Sequence, residues 1–219
     1  MLVVIGNILD TAEVEALREI AGELSFTDGR STAGRYARDV KSNLQADPSE
    51  MREAVFAKVQ QALGSNEVFR AVARPRHFAR MLVSRYQPDM EYGLHVDDPI
   101  MQGSRTHLSF TLFLSDTETY DGGGLEIDDP IEQRVIRLRA GDVVIYPSTT
   151  LHSVERVTRG ERLAVVGWVT SWVRDPGQRE ILYDLDIAAQ DIFETSGKNP
   201  AFDRLHKAKS NLYRMWAEG

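Results

Sequence analysis

The amino-acid sequence predicts a mainly β protein in which helices flank a central β region. Residues 75–174 alternate short apolar runs with turn residues, a pattern typical of a β sandwich or barrel. Residues 1–74 and 175–219 instead carry apolar positions at helical spacing. The length of 219 residues, 42% of them hydrophobic, suffices for one sizeable core with a small appendage. We therefore divide the chain at these bounds into an N-terminal helical support region, a β domain and a C-terminal helical extension.

The N-terminal region is predicted to begin with a strand at residues 2–5 and to continue mainly as helix. Asp10 or Thr11 can cap a first helix, because both side chains accept hydrogen bonds from free backbone N–H groups. Asp47 and Pro48 open a second helix, which Gly64 is expected to end. The helical faces expected to be buried contain Val14, Leu17, Ile20, Ala21, Leu24, Met51, Val55, Val59 and Leu63.

The β domain contains several short segments whose composition is typical of strands. These segments are residues 78–86, 107–114, 134–138, 142–146, 151–154 and 162–173. Turn-forming residues separate them: Pro88 and Asp89, Gly122 to Gly124, Asp128 to Pro130, Gly141 and Gly160. Short strands at this spacing favour a sandwich or a barrel over an open sheet.

The C-terminal region is predicted to form two helices. Pro176 suits the first turn of a helix, and the stretch from Gly197 to Pro200 interrupts the helical pattern. Two helices alone do not bury their apolar faces, so these must pack on the β domain or on another subunit. A homo-oligomer formed through them is therefore one expectation. Their apolar positions are Ile181, Leu182, Leu185, Ile187, Ile192, Phe202, Leu205, Leu212 and Met215.

Composition excludes several classes of function. The formal net charge of −7 offers no global attraction for nucleic acid or an anionic membrane. The chain has no cysteine, which excludes disulfides, zinc–thiolate sites, iron–sulfur clusters and cysteine nucleophiles. No apolar run is long enough to span a membrane, and the N-terminus has no basic segment typical of a signal peptide. A cytoplasmic location is the resulting expectation.

The pair His95 and Asp97 carries the chemistry, because the two residues lie two positions apart in a segment expected to be a strand. Side chains of a strand alternate between its faces, so both would project from the same face. An imidazole and a carboxylate side by side suit a divalent metal ion, and an oxygen-activating Fe(II) site adds a second histidine while leaving positions open. His152 is the candidate, because it follows a glycine turn, a strand and Pro147.

Arg162 stands ten residues after His152 and opens an apolar strand. Its guanidinium can form a bidentate pair with a dicarboxylate co-substrate. The alternative is an ordinary ion pair with Glu161 or Glu155, and the spacing from His152 favours the co-substrate role.

The remaining candidates have structural interpretations. We expect His77 to lie at the start of a strand, His107 to be a half-buried structural residue and His206 to face solvent. Asp98 would point to the opposite face of the strand from Asp97, so we exclude it as a ligand.

In combination, these motifs resemble the 2-oxoglutarate oxygenases that are built on a double-stranded β-helix. The similarity is greater to the prolyl-hydroxylase-like branch, which has a tyrosine ahead of the first ligand, a His-Val-Asp-x-Pro run and a Gly-Gly turn before a strand. Here these features are Tyr86, residues 95–99, and Gly122 to Gly124. Within that branch the chain resembles the bacterial PKHD-type hydroxylases, the PiuC/YbiX-like proteins associated with iron uptake, in its length, its N-terminal start and its C-terminal helical tail.

The resemblance implies a double-stranded β-helix core, a jelly roll of the cupin-like kind, with N-terminal helices and a C-terminal helical extension. It implies Fe(II) at His95, Asp97 and His152, with no catalytic residue beyond the metal ligands. Arg162 would bind the distal carboxylate of 2-oxoglutarate, and Tyr86 would be a secondary contact, although a strand tyrosine more often serves packing. Dioxygen would be the second co-substrate, and L-ascorbate would restore oxidised iron.

The expected function is hydroxylation of an unidentified small-molecule or peptide substrate, with a link to iron uptake taken from the resemblance alone. One alternative is a cupin-like metal protein without oxygenase activity, which has no need of Arg162. The other is an iron and 2-oxoglutarate sensor whose helical tail binds a partner. Loops around the barrel mouth, here residues 98–105 and 117–121, are where substrate specificity is expected.

Overall fold

The computed structural model describes residues 1–32, 34–128 and 133–218. The predicted turn from Asp128 to Pro130 lies largely outside these described residues. Within them the chain forms five α-helices: α1 (Thr11–Glu23), α2 (Glu50–Ser65), α3 (Glu67–Ala73), α4 (Pro176–Ser196) and α5 (Pro200–Trp216).

The strands of the described residues, in chain order, divide into an N-terminal group and the strands of the β domain. The first group is β1 (Val3–Ile5), β2 (Phe26–Asp28), β3 (Lys41–Ser42) and β4 (Leu44–Ala46). The second is β5 (Pro75–Tyr86), β6 (Glu91–His95), β7 (Ile100–Met101), β8 (Ser104–Arg105), β9 (Leu108–Phe113), β10 (Tyr120–Asp121), β11 (Leu125–Asp128), β12 (Gln133–Ile136), β13 (Val143–Pro147), β14 (His152–Val154), β15 (Arg159–Gly160) and β16 (Arg162–Ser171).

Two antiparallel sheets hold most of the described strands. The large sheet has the spatial order β1-β13-β9-β16-β5-β4-β2, and the small sheet has the order β12-β11-β14-β6-β3. Two short antiparallel pairs, the hairpin of β7 with β8 and the distant pair of β10 with β15, stand outside them. This arrangement confirms the predicted mainly β class with N-terminal helices and a C-terminal helical extension.

The large sheet is buried on both faces, which explains why its strands have almost continuous apolar sequences. On β5, Met81 and Val83 pack with α1, α2 and α3 in the main hydrophobic core. The alternate residue Tyr86 packs in a second core with Leu125 and Val154 of the small sheet. Because side chains alternate along a strand, one face supports the helices while the other faces the space between the sheets. That space contains the candidate site.

The first predicted helix starts as expected, whereas both boundaries of the second differ from expectation. Asp10 does cap α1, accepting a hydrogen bond from Glu13 N at 2.8 Å and completing a capping box. The second helix begins after Ser49 rather than at Asp47, whose carboxylate instead accepts a hydrogen bond from Thr27 Oγ1 at 2.8 Å. Gly64 lies inside α2 rather than ending it, and α3, which the sequence analysis did not predict, follows directly.

The first 74 residues contribute strands as well as helices. β1 pairs with β13, β4 pairs with β5, and β3 pairs with β6, so this region extends both sheets. Of the strands within the first 74 residues, only β1 was predicted. The others have two or three residues each, too few for an alternating pattern to be recognised.

The C-terminal helices pack on each other and on α3. Asp186 of α4 links them, because its carboxylate accepts a hydrogen bond from Lys209 of α5 at 2.6 Å and pairs with Arg74, which follows α3. Arg179 is buried and donates hydrogen bonds to the carbonyl oxygens of Val173 and Arg174, both at 2.8 Å. The extension is thereby held against its own chain.

No helix among the described residues combines the length and the apolar character that crossing a lipid bilayer requires.

Packing of α4 can be tested at Leu182, which is fully buried. Leu182→Ala should lower the free energy of unfolding by about 2–5 kcal/mol, because truncation of a buried leucine removes apolar burial and leaves a cavity. Ile181→Ala is the matched control, since Ile181 is the preceding residue of the same helix and is 47% exposed. Thermal unfolding of both variants measures the effect. Equal destabilisation by the two substitutions would contradict this docking of α4.

Candidate active site

The candidate site lies in a cavity between the two sheets, with an empty volume of about 790 Å³. Both sheets line it. The large sheet contributes alternate residues of β5, β9 and β16, and the small sheet contributes residues of β6 and β14. All five residues singled out by the sequence analysis border this cavity: Tyr86, His95, Asp97, His152 and Arg162.

Backbone pairing brings His95 and His152 together. The two residues are direct partners in the antiparallel ladder of β6 and β14, and their rings are 4.2 Å apart between centroids. Directly opposite residues of an antiparallel pair project from the same face of the sheet. The ladder is irregular just after His152, which ends the regular pairing beside the site.

Asp97 reaches the same place without belonging to a strand. β6 ends at His95, so the expectation that strand alternation aligns His95 with Asp97 is wrong in its geometry. A contact with the large sheet orients the carboxylate instead, because Ser109 Oγ of β9 donates to Asp97 Oδ2 at 2.5 Å. Asp97 Oδ2 lies 3.8 Å from His152 Nε2. One ligand atom from each of His95, Asp97 and His152 can be chosen so that all lie within 4.8 Å of one another.

Both histidines make the same backbone contact. His95 Nδ1 lies 2.9 Å from the carbonyl oxygen of Gly93, and His152 Nδ1 lies 3.0 Å from that of Thr150. A carbonyl oxygen only accepts hydrogen bonds, so in the neutral imidazole each Nδ1 carries the proton and each Nε2 offers its lone pair. Metal-binding histidines show this arrangement, in which the second nitrogen is held by a carbonyl or carboxylate.

Aromatic rings enclose the two imidazoles. Tyr92 stacks on His95 with centroids 3.6 Å apart, and Tyr146 meets His152 edge-on at 5.1 Å. Burial lowers the pKa of His95 to about 4, with repulsion from His152 as the second cause. His95 is therefore a neutral imidazole at pH 7, the form that binds a metal ion.

Arg162 is the largest side chain among those that are almost fully buried, with 1% of its surface exposed. Its guanidinium carbon lies 5.3 Å from the ring centre of Tyr86 and 5.2 Å from that of Phe113. Within the described part of the chain Nε has no hydrogen-bond partner. Neither predicted alternative partner forms an ion pair with it: Glu161 pairs with Arg85, and Glu155 accepts from Gly124 N. A buried guanidinium with an unsatisfied N–H group can bind an anionic ligand.

The glycine turn that the sequence analysis identified makes room for Arg162. Gly123 has a φ of 64°, which glycine adopts without strain. A Cβ atom at this position would also lie 3.0 Å from Arg162 Cδ. The turn thus serves the site by letting the backbone approach the arginine stem closely.

Tyr86 lies directly opposite Arg162 in the ladder of β5 and β16. Burial raises the pKa of its hydroxyl, an effect that the Arg162 charge and hydrogen bonds with Ser84 and Asn43 partly offset. The hydroxyl therefore stays protonated at pH 7, available as a neutral hydrogen-bond donor in the cavity.

Two cationic residues of the cavity were not predicted from the sequence, Lys41 and Arg80. Lys41 belongs to a polar stretch without a motif, and Arg80 is one polar residue in an apolar strand. Only the alternation of side chains along β5 could have indicated Arg80, because it puts Arg80 on the same face of the strand as Leu82, Ser84 and Tyr86.

The other histidines and Asp98 stand apart from the His95, Asp97 and His152 cluster. His77 lies near the start of β5, His107 is half-buried and accepts a hydrogen bond from Ser171 N through Nδ1, and His206 is exposed. The side chain of Asp98 also borders the cavity, but its carboxylate is not part of the cluster.

Comparison with known proteins gives the family. Residues 81–170 match the 2OG-Fe(II) oxygenase superfamily, and residues 176–218 match the PKHD-type hydroxylase C-terminal domain. A PKHD-type hydroxylase of Maricaulis maris is 47% identical over 218 residues, covering 100% of both chains. Another, from Parvibaculum lavamentivorans, is 45% identical over 219 residues, again covering 100% of both chains.

Solved structures show the same fold at low sequence identity. A Trichoplax adhaerens prolyl hydroxylase, in complex with a hypoxia inducible factor peptide fragment, has a TM-score of 0.60 at 13% identity; the match covers 82% of this chain and 86% of that one. A Pseudomonas putida prolyl-4-hydroxylase has a TM-score of 0.52 at 21% identity, with 78% and 92% covered. HygX from Streptomyces hygroscopicus, with nickel and 2-oxoglutarate bound, has a TM-score of 0.58 at 16% identity, with 78% and 84% covered.

These neighbours confirm the predicted double-stranded β-helix core, and the full-length relatives confirm the resemblance noted in the sequence. The chain is a 2-oxoglutarate-dependent hydroxylase and belongs to the PKHD-type hydroxylases of the 2OG-Fe(II) oxygenase superfamily.

Proposed function

We propose that His95, Asp97 and His152 hold one Fe(II) ion, that Arg162 binds the distal carboxylate of 2-oxoglutarate, and that the cavity hydroxylates a substrate beside this metal. Two imidazoles and one carboxylate on one side of the ion match the donor set of non-haem Fe(II) oxygenases, which leaves positions open for co-substrates. When bound, Fe(II) and 2-oxoglutarate supply the oxidising chemistry, in which dioxygen is consumed and 2-oxoglutarate leaves as succinate and carbon dioxide.

One observation carries the proposal: His95 and His152 each use Nδ1–H on a backbone carbonyl two residues earlier, at 2.9 and 3.0 Å. Both Nε2 lone pairs are thereby left free beside the Asp97 carboxylate, which Ser109 orients. This is the protonation and orientation that a metal ion requires of its ligands.

Arg162 and Tyr86 fit the co-substrate end of the same cavity. A guanidinium offers paired N–H donors to a carboxylate, and burial strengthens that pair because little water competes. The charge would otherwise stay buried without a counter-ion, which is costly. Tyr86 would add a neutral donor from the opposite strand, so we propose it as a secondary contact with 2-oxoglutarate.

Several finer features of the proposal rest on the resemblance alone. We propose L-ascorbate as the reductant that restores oxidised iron, a cytoplasmic location and a link to iron uptake. The substrate is an unidentified small molecule or peptide.

Association through the C-terminal helices is proposed from the exposure of Ile181, Ile187, Phe193 and Met215 on α4 and α5.

Removal of one ligand tests the metal site. His152→Ala should weaken Fe(II) or Co(II) binding by more than about 100-fold, because loss of an outer partner alone typically costs about 10–100-fold. His206→Ala, an exposed histidine of α5, is the control and should bind metal as the parent chain does. Anaerobic titration measures both. Unchanged affinity in a folded His152→Ala protein would contradict the assignment.

Substitution of Arg162 tests the co-substrate assignment. Anaerobic addition of Fe(II) and 2-oxoglutarate should give a weak visible charge-transfer band. Arg162→Met should weaken 2-oxoglutarate binding by roughly 30-fold or more, as expected when one partner of a buried charge pair is truncated. Iron should remain bound. Arg159→Met, an exposed arginine nearby in the sequence, is the control. Loss of iron together with 2-oxoglutarate would argue that Arg162 is structural.

The low pKa of His95 predicts how the metal-free protein responds to acid. His95 ordinarily titrates near pH 6.5 but at about 4 in the folded chain. The unfolded chain therefore binds more protons between these values, so this group makes the free energy of unfolding fall as the pH falls through that window. His95→Asn should show a shallower decline in melting temperature between pH 6.5 and 4. A slope as steep as that of the parent chain would contradict the shift.

A further inference from the structure

Two cations of the cavity, Lys41 and Arg80, form no ion pair with a carboxylate of the described residues. Lys41 lies on β3 of the small sheet and Arg80 on β5 of the large sheet, so they approach the cavity from opposite walls. Neither has a role in the metal site or in the Arg162 pair. Like charges repel, so two unpaired cations in one cavity are unfavourable unless an anion joins them.

Lys41 is held in place although it is only 5% exposed. Its ammonium group donates to Thr32 Oγ1 at 3.1 Å and lies 4.9 Å from the ring centre of Tyr92. An ammonium has three N–H donors, and toward the residues that the structure describes Lys41 uses one of them. Burial and then the Arg80 charge lower the pKa of Lys41 to about 8, which still leaves it mostly protonated at pH 7.

Arg80 is half-buried and makes no ion pair with a described carboxylate. It lies opposite Trp168 in the sheet, and Trp168 lies opposite Ser109, the residue that orients Asp97. Neighbouring strands are about 4.8 Å apart, so the backbone of Arg80 is roughly 10 Å from that of Ser109. Arg80 is thus level with the metal ligands, whereas Tyr86 is six residues, or about 20 Å, further along the same strand.

The co-substrate does not account for these two charges. In the loaded site, the charges of Fe(II) and Arg162 are balanced by Asp97 and by the two carboxylates of 2-oxoglutarate. Burial and then the Arg52 charge lower the pKa of Arg80, and the charge of Asp98, which also borders the cavity, opposes them without forming an ion pair. Among the residues that line the cavity, once Asp97 is counted with the metal, one carboxylate faces two cations, which leaves a net positive charge in the cavity.

We propose that Lys41 and Arg80 bind an oxyanion of the primary substrate, a carboxylate or a phosphate group, and so position a neighbouring C–H bond at the metal. The inference rests on the proposed function, because it requires Fe(II) and 2-oxoglutarate in the same cavity. It names the substrate class: an anionic molecule, or a peptide that presents an acidic group. A guanidinium and an ammonium on facing walls can bind two oxygens of one such group.

The test uses the full chain loaded with Co(II) in place of Fe(II) and with saturating 2-oxoglutarate. Acetate, inorganic phosphate and acetamide are added separately, and broadening of their NMR signals by the paramagnetic Co(II) reports binding near the metal. Acetamide is the neutral counterpart of acetate. We expect acetate or phosphate to be broadened and acetamide not, and the anion that binds more tightly identifies the substrate group.

Substitutions then locate the binding. The double variant Lys41→Met/Arg80→Met should weaken anion binding at least tenfold and leave 2-oxoglutarate binding unchanged. Arg80→Met alone, which removes no described hydrogen bond, should weaken it in the same direction if the double variant does not fold. Arg76→Met is the matched control: Arg76 is an exposed arginine of the same strand, stacked on Trp172 outside the cavity.

Failures of the inference and of the proposed function differ. A parent chain that binds Co(II) but not 2-oxoglutarate contradicts the proposed function. A chain that binds both, yet broadens neither anion or broadens acetamide equally, overturns the inference alone. Anion binding that survives the double variant, or that falls equally in Arg76→Met, overturns it as well. A double variant that loses 2-oxoglutarate would assign Lys41 and Arg80 to the co-substrate.

Discussion

The antiparallel pairing of β6 with β14 is the constraint on which the candidate site depends. It puts His95 directly opposite His152, and the backbone carbonyls of Gly93 and Thr150 then fix both rings. Few side-chain degrees of freedom are left to be ordered when a ligand binds, which lowers the entropic cost of binding. The large sheet adds what the small sheet lacks: Ser109, which orients Asp97, and Arg162 at the other end of the cavity.

Much of the fold could be predicted because its patterns are local. Apolar strands such as β13 and β16, the capping residue Asp10 and the helix-starting Pro176 act over a few neighbouring residues. The short strands β2, β3 and β4 could not, because each forms only where a neighbouring strand offers unpaired backbone groups: β3 on β6, β4 on β5, and β2 in turn on β4. Their existence depends on tertiary contacts rather than on their own sequence.

The candidate site could also be predicted only in part. His95, Asp97, His152 and Arg162 follow a spacing that could be recognised, and they all border one cavity. The path of Asp97 could not be predicted, since the strand ends before it and its orientation comes from β9. Lys41 and Arg80 carry no motif. They become significant only when two sheets bring them to facing walls, and substrate-binding residues in general depend on such tertiary placement.

The hydrogen bond between Ser109 and Asp97 joins a residue of the large sheet to one that follows a strand of the small sheet. An ion held by Asp97 and the two histidines would therefore tie the two sheets together across the cavity. Anything that binds only the folded chain raises the free energy of unfolding according to its concentration. The stability of the folded chain would then increase with the concentration of the metal ion. The ion would stabilise the packing of the two sheets in addition to its part in the reaction.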